Sequence, residues 1–99
     1  MNIDKKNENG ITTLYLDGRL DTTTSTQFQD ILIPTIGETD TIVLNCEKLV
    51  YISSAGLRIL LIGQKAAKAK KASLTLCNVS ESILEVFEMT GFSSLVKLV

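Results

Sequence analysis

Between Ile11 and Asp17 apolar and polar side chains alternate with the period of a strand, Ile11, Thr13 and Tyr15 falling on one side and Leu14 and Leu16 on the other. Asn9-Gly10 stands immediately before this run. Both residues tolerate the positive φ angles of a two-residue turn, so the pattern predicts two antiparallel strands joined there, the second ending at Gly18. After Arg19-Leu20-Asp21, the residues Phe28, Ile31 and Leu32 recur at helical spacing and predict a helix over Thr22 to Ile33. Asp21 or a following threonine can cap it. Pro34 has no amide to donate and crowds the preceding turn, so the helix is expected to stop or bend near Ile33.

The run Thr41-Ile42-Val43-Leu44-Asn45 is almost continuously apolar and predicts a central strand covered on both faces. Cys46-Glu47-Lys48 reads as a turn, followed by an apolar stretch from Leu49 to Ile52 and then by Ser53-Ser54 at the start of a helix from Ala55 to about Lys71. At 100° per residue, Ala55, Ile59, Ile62, Gly63 and Ala66 share the side expected to cover the sheet. Leu57 and Leu61 then point outward beside Arg58, Gln64, Lys65 and Lys68, where two apolar side chains next to a serine suggest the edge of a partner-binding patch. Leu74 to Cys77 predicts another strand, and Ser80 the N-cap of a late helix with Val79 and Leu84 as its hydrophobic staple. Gly91 should close that helix, Phe92 should pack back on Phe87, and Leu95 to Val99 should form a last strand. The alternation predicts an α/β layer fold, a mixed and mainly parallel sheet with an antiparallel N-terminal edge strand, packed with helices. No repeat or linker divides residues 1–99, which read as a single domain.

Composition narrows the function more than the fold. The chain is 44% hydrophobic and 21% charged with one proline, outside the disordered classes, and its net charge of −1 supplies no global field for nucleic acid or anionic membrane. Lys65, Lys68, Lys70 and Lys71 cluster without aromatic stacking residues, which fits a solvated helix face better than a nucleic-acid site. The polar N-terminus lacks the features of a signal peptide, and the most apolar stretch, Ile52 to Gly63, is interrupted by Arg58 and falls short of the ~18 residues that span a bilayer. A cytoplasmic protein without membrane insertion is expected. Cys46 and Cys77 have no metal or redox spacing and the chain has no histidine, so free thiols, no metal, no cofactor and no enzymatic activity are expected.

In a parallel sheet of this kind, sites gather where strand ends meet helix starts, here the loops at Arg19–Thr22 and Leu49–Gly56. A serine at a helix start can simply cap it. The same free amides and helix dipole would also stabilise a phosphate ester on the hydroxyl, and Arg58 lies one turn beyond Ser54.

The segment Val43-Leu44-Asn45-Cys46-Glu47-Lys48-Leu49-Val50-Tyr51-Ile52-Ser53-Ser54-Ala55-Gly56-Leu57-Arg58 resembles the signature segment of STAS domains, in particular bacterial anti-sigma factor antagonists. Gly18-Arg19-Leu20-Asp21 is similar to that family's Gly-x-Leu-Asp before the first helix, and Val86-Phe87-Glu88-Met89-Thr90-Gly91-Phe92 to its late helix with a glycine stop. The resemblance implies a partner-switching regulator. The serine two residues before the glycine, which is Ser54, would be phosphorylated by an anti-sigma factor that is also a serine kinase. Unphosphorylated, such a protein binds the anti-sigma factor and frees the sigma factor; phosphorylated, it lets go. Asp21, Thr22, Ser53, Ala55, Gly56, Leu57, Arg58 and Leu61 become the expected partner contacts, and a phosphatase a further candidate partner.

The sequence departs from the family at three points. Ser53 stands where an aspartate often precedes the phosphorylated serine, which makes Ser53 an alternative phosphosite and Asp21 the nearest expected carboxylate. Ala55 replaces a common second hydroxyl. The chain ends soon after its last expected strand where several members continue into a helix, so a monomer or a weak homodimer that restores the missing cover is expected. The competing reading within the same fold is a phosphorylation-independent adaptor docking on a transporter ATPase or a signalling scaffold.

Overall fold

The computed structural model describes all 99 residues. Strands β1 (Asn2–Glu8) and β2 (Ile11–Leu20) form the expected hairpin, and Asn9 and Gly10 at its tip have φ of 53° and 80°, the doubly left-handed turn that matches strand twist. Helix α1 (Ser25–Glu38), β3 (Thr41–Ile52), α2 (Ser54–Lys70), β4 (Ser73–Cys77) and α3 (Glu81–Met89) follow. The sheet runs β1-β2-β3-β4, with β1 antiparallel and the rest parallel, as the sequence predicts.

Each crossover, β2 to β3 and β3 to β4, steps one strand along in the same direction, and right-handed crossovers of that kind put their helices on one face. That face is the core. Leu14, Leu16, Ile42, Leu44, Leu74 and Leu76 are buried there against Phe28, Leu32, Ile59, Leu60, Ile83 and Phe87. The opposite face, carrying Thr13, Tyr15, Val43, Asn45, Thr75 and Cys77, is half-buried or exposed. The expectation of a β3 covered on both faces is therefore wrong; its alternating burial is that of a strand covered on one side.

Four further boundaries depart from the sequence reading. β2 does not end at Gly18, which instead holds φ of 117° inside the strand at a register shift, so this glycine bends the strand rather than stopping it. Cys46-Glu47-Lys48 is strand, not turn. The β2–β3 register moves from Tyr15↔Asn45 to Asp17↔Lys48 and from Gly18↔Leu49 to Arg19↔Tyr51, so β3 carries one extra residue at each shift. α1 begins at Ser25 and runs through Pro34 to Glu38. Pro34 and Asp30 both face solvent, where the Asp30 carbonyl deprived of its amide can be hydrated. Finally, Leu95–Val99 is not a full strand: a 3₁₀ turn (Phe92–Ser94) leads to a tail bridged to β4 only at Leu76, through Leu76 N–H to Lys97 C=O and Val99 N–H to Leu76 C=O, both 2.9 Å.

The late helix follows its local signals. Ser80 caps it by accepting from the Ile83 amide, Gly91 leaves it at φ of 74°, and Phe92 lies 5.3 Å from Phe87 between ring centroids.

Candidate functional site

β2 and β3 end side by side, and the last bond between them, Ser53 N–H to Leu20 C=O at 2.9 Å, sets the starts of α1 and α2 next to each other. The two strands enter their helices differently. Asp21 opens a four-residue turn before α1, its Oδ1 accepting from the amides of Thr23 (3.0 Å) and Thr24 (3.1 Å) while its own amide donates to Thr24 Oγ1. The Thr24 amide above all holds the Asp21 carboxyl below its ordinary pKa; partial desolvation opposes this, and the Thr23 amide, the Thr24 hydroxyl and Arg19 add to it. The β3–α2 connection is one residue long. Ser53 is the N-cap, its Oγ accepting from the Gly56 amide at 3.3 Å.

Gly56 explains how α2 begins so close to the sheet. A Cβ at this position would lie 2.7 Å from Leu20 Cγ and 2.9 Å from Ile52 Cγ1, inside van der Waals contact with side chains held in the core. The first turn of α2 thus rests on the ends of both strands. It leaves Ser54, the first helical residue, exposed, and its hydroxyl takes part in none of the side-chain hydrogen bonds of this corner. Arg58, one turn on, is also exposed and belongs to no ion pair. Thr22 is exposed beside Asp21, and Ala55 is half-buried.

The structure also corrects the expected face of α2. The buried positions are Gly56, Ile59, Leu60, Gly63 and Ala67, rotated by one residue from the expectation, while Ile62 is 37% exposed. Leu57 and Leu61 are not an outward pair; both are half-buried and pack against the core. Leu57 stays near the serine corner, whereas Leu61 lines a separate groove toward the other end of α2.

Three residues of the two expected loops that were not among the expected partner contacts join the corner. The second β3 bulge turns Val50 (65%) and Tyr51 (40%) to solvent, and the Arg19 guanidinium stacks on the Tyr51 ring at 4.1 Å with Nε 4.0 Å from Asp21 Oδ2. Four consecutive apolar residues, Leu49 to Ile52, were the available signal, since a one-sided strand cannot bury all four without breaking its alternation.

The remaining chemistry is sparse. Cys46 is buried, and that burial, with Cys77 nearby, pushes its thiol up to about 12; burial and Glu47 raise Cys77 as well. No group of three or more metal-ligating side chains comes together, and no helix is long and apolar enough to cross a membrane.

This arrangement of a one-sided sheet and a serine-capped helix resting on two strand ends is that of a recognised domain class: the STAS domain profile matches residues 2–99, and the chain belongs to the STAS domain family. Its homology runs to anti-sigma factor antagonists. The anti-sigma-B factor antagonist of Bacillus subtilis is 26% identical over 99% of this chain and 90% of its own length. BtrV of Bordetella bronchiseptica, a proposed anti-sigma factor antagonist, is 43% identical over a segment covering 54% of this chain, and that match spans about half (47%) of BtrV. The Bacillus cell-fate determinant SpoIIAA, solved in its phosphorylated form, shares the fold with a TM-score of 0.76 at 22% identity, over 99% of this chain and 91% of that one.

Proposed function

We propose that this protein is a cytoplasmic anti-sigma factor antagonist that works by binding, not turnover. Unmodified, it engages an anti-sigma factor that is also a serine kinase and releases the sigma factor; a phosphate on Ser54 ends the complex. The observation that carries the reading is the division of labour between two adjacent serines. The Ser53 hydroxyl is occupied in capping α2, while the Ser54 hydroxyl is exposed and uncommitted at the same helix start. A phosphate there meets the positive end of the α2 dipole, so the modified chain remains folded. Within a docked interface the same dianion adds like-charge repulsion and desolvation cost, and a loss of ~3 kcal/mol weakens binding by more than a hundredfold. No rearrangement of the fold is needed. That SpoIIAA exists in a phosphorylated form gives the reading a precedent within the fold.

The test has two arms. Peptide mass spectrometry of the protein from its native cell should place an added phosphate on Ser54, absent from Ser54→Ala and retained in Ser53→Ala. Calorimetric titration with the anti-sigma factor kinase of the same organism should show binding for the unmodified chain and loss of about a hundredfold for Ser54→Glu. A phosphate confined to Ser53, or equal binding by the wild type and Ser54→Glu, would overturn the assignment and favour a phosphorylation-independent adaptor.

A further inference from the structure

The other end of α2 carries a second surface. A groove of about 650 Å³ opens between the last turns of α2, the start of β4 and the C-terminal tail. Leu61, Ala72, Leu74, Leu95 and Val96 supply its apolar lining, and Lys65, Lys68, Lys71 and Lys97 its rim. No carboxylate lines it, and none of these four lysines belongs to an ion pair, although the chain as a whole is net negative. Lys68 and Lys71 complement the helix C-terminus, but Lys65 stands further back and Lys97 comes from the tail, so the helix dipole does not account for the cluster.

The groove also borders an incomplete sheet edge. Ser73, Thr75 and Cys77 direct their main chains toward β3, beginning with Ser73 N–H to Asp40 C=O at 2.7 Å; Leu74 and Leu76 therefore face outward. The tail satisfies Leu76 on both sides. Leu74, one step earlier on the same edge, has no main-chain partner among the tail or loop bonds. Such an edge pairs readily with another extended chain.

We propose that this groove binds an extended acidic segment of a partner protein, which adds beside β4 at the Leu74 main chain, seats alternate apolar side chains on Leu61, Ala72 and Leu95, and directs its carboxylates to the four lysines. Strand alternation provides the two kinds of contact at once. A second copy of this chain is the poorer occupant, because its groove would bring lysines against lysines. Nucleic acid would satisfy the charge but has no use for the strand edge or the apolar lining. The site begins at Leu61, about 10 Å along α2 from Ser54, and extends to Lys71, about 25 Å away, and does not depend on the antagonist reading.

The probe is a capped, fluorescent peptide alternating Glu with Val and Leu, followed by anisotropy and by amide exchange of the full chain. Binding is expected to weaken about tenfold for Lys68→Glu combined with Lys97→Glu, and about tenfold again when the central peptide amides are N-methylated, which spares charge and removes strand hydrogen bonds. Raising ionic strength from about 0.01 M to about 0.15 M should also weaken it. The Leu74 amide should gain exchange protection in the complex, and Ser54→Glu should bind the peptide as the wild type does. No binding, equal binding of the N-methylated peptide, equal competition by single-stranded DNA, or an unprotected Leu74 amide would each overturn the proposal. A salt-sensitive interaction that survives N-methylation would mean a generic lysine patch only.

Discussion

The two strand-to-helix junctions of the corner lie one hydrogen bond apart and solve the same problem with different chemistry. At β2–α1 a carboxylate gathers two amides over a four-residue turn; at β3–α2 a hydroxyl takes one amide and the helix begins at the next residue. The carboxylate of Asp21 organises the turn and carries a charge that titrates, but it does not cap α1, whose N-cap Thr24 makes no side-chain cap bond. A hydroxyl cap is neutral, short, and leaves its neighbour free. The shorter junction is therefore the one that can expose an unoccupied serine at a helix start, and it is available only because Gly56 lets α2 approach the strand ends.

The largest effect should come from closing that approach. Gly56→Val places carbon atoms where Leu20 and Ile52 already are, and overpacking of this kind costs about 3 kcal/mol, against which no gain in helix propensity is sufficient. Urea unfolding should show a fall in midpoint with an unchanged slope. A variant as stable as the wild type would mean that α2 can shift outward without loss. Next, Ser53→Ala should lose about 1 kcal/mol as a missing cap, whereas Ser54→Ala should stay within about 0.5 kcal/mol. Equal losses would erase the proposed division between the two serines. The finest distinction is read in pH. Because the Asp21 carboxyl is held below its unfolded value, its contribution is fully present above that value and is lost as pH falls through the folded one. The stability difference between the wild type and Asp21→Asn should be flat from about pH 7 to 5 and should shrink below about pH 4. Substitutions at Ser53 should show no such profile.

Much of the candidate corner was legible because it is made of helix-start chemistry. Asp21, Ser53, Ser54 and Gly56 stand out from local rules about caps, free amides and small residues. Arg19, Val50 and Tyr51 stand out less, because the exposure of Val50 and Tyr51 follows from the second bulge in β3, at which the apolar run Leu49 to Ile52 only hints, and the stacking of Arg19 on Tyr51 joins two strands. Its spacing from Leu57 groups Leu61 with the corner, yet it lines the lysine groove, since it lies about two helical turns beyond Ser54.

What the amino-acid sequence determined by itself lies within about four residues of the deciding side chain: the Asn9-Gly10 turn, the Ser80 cap, the Gly91 stop with its Phe87–Phe92 contact, and the alternation of strands and helices from which the α/β class follows. Those features are encoded in φ preferences, short-range hydrogen bonds and side-chain periodicity. Tertiary structure decided the rest. It set the rotation of α2, with Gly63 against Leu32 of α1 turning Leu60 inward and Ile62 outward. It carried α1 through Pro34, left one face of the sheet open, and fixed which serine caps and which is free. Each of these outcomes depends on atoms brought together from distant segments, where the free energy of close packing exceeds the small local preferences that the sequence displays.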